Sequence, residues 1–108
     1  MQLQKINLEE KRKEIKSPWQ PIEIARANDQ VIRLALMHGQ YHWHKHENED
    51  ELFIVFKGKI KIQTNSGNII LNEGEGVKIP RGVDHRPIAT QSSVVLMFEN
   101  SKLESKGS

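Results

Sequence analysis

The chain has 108 residues, 16 basic against 14 acidic, no cysteine, and a formal charge of +2. That length gives one domain a core without disulfide or metal staples, and the missing thiols exclude a zinc finger and leave no mark of an oxidising compartment. The near-balanced charge excludes a nucleic-acid footprint, because the sole basic cluster, Lys11-Arg12-Lys13, is flanked by Glu9, Glu10 and Glu14 and reads as a solvated helix face.

The first residues, Met-Gln-Leu-Gln-Lys-Ile, contain no apolar run of the signal-peptide kind, and no later segment approaches transmembrane length. A cytoplasmic protein with no membrane and no nucleic-acid partner is therefore expected. Asn7 followed by Glu10 predicts an N-cap with a capping-box partner, opening a helix through about Ile15. Ser17-Pro18 ends it, and Trp19-Gln20-Pro21 is expected to be extended.

From Ile22 onward the pattern is that of strands. Ile22 to Ala25 leads to a turn at Asn28-Asp29, and Val31 to His38 follows with aliphatic residues at Ile32, Leu34 and Leu36. Gly39-Gln40 predicts a kink or bulge. Leu52 to Phe56 is apolar on both faces, so a second layer or another subunit is expected over its outer side. Lys59 to Gln63 alternates as a half-buried strand does, Asn65 to Asn68 is a hairpin turn, and Ile69 to Leu71 returns. Glu73 to Gly76 and Pro80 to Gly82 are further turns, and Ser93 to Glu99 is the last clear strand. Short strands at regular spacing predict an all-β sandwich or barrel. We divide the chain into an N-terminal helix and arm over 1–21, a β-barrel over 22–100 and a disordered tail over 101–108.

The stretch that carries chemistry lies between the second strand and the doubly apolar one: His42-Trp43-His44-Lys45-His46, then Glu51. Alternate side chains of a strand leave the same face roughly 6.5–7 Å apart. His44 and His46 can therefore converge on one ion, with His42 a step behind and Glu51 facing them from a returning strand. Two imidazoles and a carboxylate are ligands for first-row transition metals, although a His-acid run is also a common solvated surface.

Two separated motifs resemble the cupins. His44-x-His46, four residues, Glu51, six residues and Gly58 match the family's first motif; Gly74, Pro80, Gly82 and His85 match its second in spacing and identity. The text from Trp19 to Glu99 is similar to small single-domain cupins of the mannose-6-phosphate isomerase-like type. Two scaffold positions depart: the opening glycine falls on His38, with Gly39 one residue late, and the closing asparagine is Ala89. The resemblance implies an all-β cupin double-stranded β-helix, a jelly-roll barrel, with a short N-terminal helix. It implies one divalent transition metal (Fe, Mn, Ni, Zn or Cu) held by His44, His46, Glu51 and His85.

Among other residues, Glu51 and His42 are the candidate acid–base groups, His42 only if the strand is regular. Trp43 and Tyr41 are expected to point away as packing residues, His38 to be a wall residue, and Asp84 a turn residue. Arg33, Arg81 and Arg86 are candidates for an anionic substrate, each also readable as surface charge. Leu52, Ile54 and Phe56 are expected to face outward with no third layer to cover them, which predicts a homodimer. The function implied is a metal-dependent enzyme (dioxygenase, isomerase or lyase type) acting on a small polar molecule. The alternative is a non-catalytic metal-bearing module for a small-molecule ligand such as a sugar or effector.

Overall fold

A computed structural model describes residues 2–102 as one helix and seven antiparallel strands. The helix α1, Leu8–Arg12, starts where Asn7 caps it, the side chain accepting from the Glu10 backbone N–H at 3.0 Å. It is shorter than the expected run to Ile15. After Arg12 the bonds tighten to i→i−3, with Glu14 and Ile15 donating to Lys11 and Arg12, which ends the α-helical ladder and turns Ile15 toward the sheet. The arm that follows is also less extended than expected: Trp19 takes φ 64°, and its backbone and indole N–H groups donate to the Leu36 and His38 carbonyls, both at 2.9 Å.

The strands are β1 Ile22–Ala27, β2 Gln30–Gln40, β3 Glu51–Lys57, β4 Lys59–Thr64, β5 Gly67–Asn72, β6 Gly76–Ile79 and β7 His85–Asn100. Asn28, at φ 58°, makes the tight turn between β1 and β2. β7 is the spine. Its first part pairs with β4 through Lys61↔Ile88 to Thr64↔His85, its second part pairs with β3 through Lys57↔Val94 to Leu52↔Phe98, and β2 runs along both parts. The strand expected over Ser93 to Glu99 is thus the second half of one bent strand that begins at His85. Gly39 absorbs a bulge between Met37 and Gly39 at φ 88° and lies opposite Ala89, so the displaced motif glycine and the missing asparagine meet in one ladder position.

Inward residues, among them Met37, Phe53, Val55, Ile62 and Val95, form the main core. A second cluster lies outside the sheet, where Ile24, Leu34 and Val94 are buried and Leu8, Ile15, Leu36, Phe56 and Leu96 pack on them. The expectation of a bare outer stripe is corrected here. Leu52, Ile54 and Phe56 do face away from the core, but each is partly buried, and Leu8 and Ile15 of the short N-terminal segment pack on the same outer cluster as Phe56. Ser101 and Lys102 are a turn, tied by Ser101 N–H to the Asp29 carbonyl at 2.8 Å. The remainder of the expected tail, 103–108, lies outside the described residues. Among the described residues no helix is long and apolar enough to cross a membrane.

Candidate metal centre

The histidine stretch is not the regular strand that its alternation predicts. Between Gln40 and Glu51 it touches β7 and the turn before it at only three backbone points. Tyr41 donates to the Pro87 carbonyl at 3.1 Å, His44 and His85 exchange bonds at 3.0 and 2.9 Å, and the His46 carbonyl accepts from Gly82 at 2.8 Å. These bonds hold the His44 and His46 side chains inward, where both are buried. Glu51, the first residue of β3, is 2% exposed and His85, the first of β7, is fully buried. The second motif thus clamps the first through backbone bonds as well as supplying His85.

The Glu51 carboxylate is the hub. Its Oε1 lies 3.3 Å from His46 Nε2 and 3.7 Å from His85 Nε2. Donor atoms of His44, Glu51 and His85 all fall within 4.8 Å of one another. His46 is therefore beside Glu51 without entering that tightest group of three. His44 Nδ1 bonds the His42 carbonyl at 3.1 Å and His85 Nδ1 bonds the Val83 carbonyl at 2.9 Å. A carbonyl only accepts, so Nδ1 carries the hydrogen in both rings and Nε2 keeps its lone pair, the arrangement usual for metal-ligating histidine.

The buried side-chain atoms without a hydrogen-bond partner among the described residues are His46 Nε2, both Glu51 oxygens, His85 Nε2 and Glu99 Oε1. Each such atom costs on the order of 1–3 kcal/mol, and a divalent cation supplies what the first four lack. The donor set fits: imidazole and carboxylate without thiolate suit Fe, Mn, Ni, Cu or Zn. Burial drives the His44 pKa down to about 4, keeping the ring neutral. Burial also opposes charge on His46, but contact with Glu51 outweighs it and holds His46 above the ordinary histidine value. Burial would likewise raise Glu51, yet His46 and His85 carry it below the usual carboxylate range.

The other candidates divide cleanly. His42 is exposed, its ring lying 4.0 Å from Tyr41 and 5.3 Å from His44 by centroid, so irregular backbone leaves it outside the buried cluster. Tyr41 does not point away; it stacks on Trp19 at 4.7 Å and helps line a recess with Trp19, Pro21, Met37, Phe53 and His44. Trp43 is 41% exposed under the Arg86 guanidinium. His38 is exposed and pairs with Ser92 Oγ at 2.9 Å. Arg81 is an exposed partner of Asp50, and Arg86 bonds Gln63 at 2.6 Å.

Arg33 is the exception among the arginines. It lies beside the barrel interior and reaches Glu99 Oε2 at 3.1 Å. Glu99 is 1% exposed, and burial followed by the Glu51 charge pushes its pKa up to about 8. Sequence reasoning passed over Glu99. The available signal was phase, since Arg33 falls in step with Ala35 and Met37, and Glu99 with Val95 and Met97, all four of them core residues.

A small antiparallel β-barrel with a buried imidazole–carboxylate cluster defines the class: a jelly-roll protein able to hold a metal ion at His44, Glu51 and His85. Residues 33–99 match the cupin domain, and the chain belongs to that family. It is 34% identical to the uncharacterized protein YdbB of Bacillus subtilis over 84% of this chain and 81% of that protein. A crystal structure of a cupin-2 domain containing protein from Shewanella frigidimarina is similar, with 36% identity, a TM-score of 0.86 and coverage of 88% of this chain and 93% of that one. Protein NMB1881 from Neisseria meningitidis follows the same fold at 29% identity and a TM-score of 0.82, covering 91% of this chain and 100% of that one.

Proposed function

We propose that the chain is a metal-dependent enzyme of the oxygenase, isomerase or lyase type, with one divalent transition metal held by His44, His46, Glu51 and His85. The observation that carries this reading is the convergence of preset imidazole lone pairs on the buried Glu51 carboxylate. Bound there, such a metal supplies Lewis acidity to a substrate oxygen. The recess beside it is walled by apolar residues, and His44 is the one proposed ligand that lines it. The substrate this suits is a small molecule with oxygen donors at one end and an apolar body, less polar than the sequence implied. Glu51 is the proposed proton acceptor, and His42, on the exposed side of His44, the proposed exchanger of protons with solvent.

The second reading is a binding module that holds the same kind of ligand without turnover. It is favoured by the recess walls, where Tyr41 and His44 are the sole titratable side chains. Metal analysis followed by oxygen uptake and product detection against a panel of small aromatic and hydroxy-acid compounds separates the two. With a substrate found, turnover per bound metal is expected to fall at least ~100-fold in Glu51→Gln and less in His42→Ala, in line with acid–base contributions of about 10²–10⁴. An unchanged ratio in both variants would remove the chemical roles assigned to them.

The metal reading also sets a pH dependence. His44 is already neutral near pH 7, with its pKa at about 4, whereas His46 is held above the ordinary value. An ion that takes His46 must displace its proton below that pKa, so affinity is lost as pH falls. Zinc is expected to bind roughly tenfold more weakly at pH 5.5 than at 6.5, the slope of one displaced proton. Equal affinities at the two values would remove His46 from the ligand set.

A homodimer remains our reading of the assembly. The partly buried Leu52 and Ile54, with Ile69 and Ile70 at 44% and 51% exposure, leave apolar surface for a second copy. Light scattering at micromolar concentration tests it.

A further inference from the structure

Glu99 is the buried group that the proposed metal chemistry leaves without a purpose. The β3–β7 register pairs Phe53 with Met97 and Leu52 with Phe98. Continued by one residue beyond Leu52 and Phe98, that register sets Glu51 across from Glu99, both of them buried and in phase with the inward Phe53 and Met97. Directly opposed residues on one face of an antiparallel pair are in contact range, and the Glu51 charge adds to burial in raising the Glu99 pKa. Glu99 is anchored through Oε2, which accepts from Arg33 Nη1 at 3.1 Å. Its Oε1 is buried and has no hydrogen-bond partner among the described residues.

A plain interior ion pair does not account for this arrangement. Arg33 engages one oxygen, and a side chain serving only Arg33 has no reason to be set across from a second carboxylate. Acid beside acid in a buried site is costly unless the second group serves the first. Groups that hydrogen-bond a ligating carboxylate or imidazole fix its orientation, and their loss typically weakens metal binding.

Resting on the metal reading above, we propose that Glu99 is a positioning residue of the centre: anchored by Arg33, it holds the Glu51 carboxylate in the orientation that faces His46 and His85. Arg33 and Glu99 thereby extend the site along β2 and β7, beyond the ligands that the two motifs contribute.

The test is Co²⁺ binding to metal-free protein, read as affinity and as the visible absorption spectrum of the bound ion. Glu99→Leu is expected to lose roughly 10–100-fold in affinity and to shift the Co²⁺ bands, because Glu51 is no longer restrained. Glu99→Gln, which keeps the shape, an acceptor for Arg33 and a polar group toward Glu51, is expected to restore affinity to within a few-fold and the spectrum to wild type. Glu99→Asp keeps a carboxylate on β7 but draws it back by one methylene from Glu51, and serves if the leucine variant does not fold. It is expected to show the loss without rescue. Wild-type affinity and spectrum in Glu99→Leu or, where that variant is unfolded, in Glu99→Asp overturn the inference alone. Failure of the wild-type protein to take up Co²⁺ overturns the metal reading, and this inference with it.

Discussion

Replacing His85 with alanine is expected to empty the centre while leaving a folded β-protein. His85 joins β7 to the histidine stretch, and its Nε2 is one of the buried atoms with no partner among the described residues. A four-ligand protein site holds zinc with roughly 10–16 kcal/mol, so one ligand accounts for about 3 kcal/mol, or ~100-fold in affinity. The fold survives because the His44–His85 backbone bridge does not need the imidazole, and because the substitution also removes a polar atom that was costly to bury. Metal content after dialysis against a chelator just weak enough for the wild-type protein to withstand is expected to drop from about one ion per chain to near zero, with the β-sheet circular dichroism signal retained. Retained metal in His85→Ala would sink the assignment. His46→Ala makes a finer distinction. His46 contacts Glu51 at 3.3 Å but stands outside the tightest donor group, and the four-ligand reading expects a loss comparable with that of His85→Ala. A much smaller loss would make His46 a partner of Glu51 instead of a ligand.

How much of this centre was legible beforehand follows from which features are local. Strand runs, turn residues and the spacings of the two motifs are local, and they led to β1 through β5, to the second half of β7 and to His44, Glu51 and His85 in one place. The path of residues 41–50 was not legible. Alternation of histidines suggested a strand, but the backbone makes only scattered bridges there, and that difference exposes His42 and turns Tyr41 toward the recess. The partial cover of the outer sheet face was also missed, because it depends on Leu8 and Ile15 reaching the same buried cluster, Ile24, Leu34 and Val94, on which Phe56 and Leu96 pack. Glu99 and its pairing with Arg33 escaped for a third reason. A charge in phase with core residues is legible on each strand separately, but the pairing needs the β2–β7 register, which brings Val31 opposite Glu99.

Gly58→Ala is expected to be among the most destabilising single substitutions in the barrel, although Gly58 touches no metal ligand. Gly58 turns β3 into β4 at φ +92°, a conformation that L side chains rarely adopt. An added methyl would also stand 2.9 Å from the Cα of Ser93, a backbone atom of the central strand β7. Ser93 cannot easily retreat. It is fully buried, and its Oγ accepts from Lys59 N–H at 3.0 Å while lying 3.1 Å from the Lys59 carbonyl. Strained backbone costs of order 1–3 kcal/mol and overpacking typically about 1–3 more, so a total near 4 kcal/mol is expected. Against a usual domain stability of about 5–15 kcal/mol, that lowers the melting temperature by roughly 15 °C or more. Gly74→Ala is the matched control. Its φ is +82°, but nothing lies within 4 Å of the added methyl, so only the backbone term of about 1–3 kcal/mol applies. Chemical denaturation of both variants in metal-free form reads the difference, and Gly58→Ala no less stable than Gly74→Ala would show that β7 yields where the contacts say it is held. If the difference appears, this motif glycine is retained for the close approach of a turn to the spine strand, while the histidines of the same motif answer to the metal.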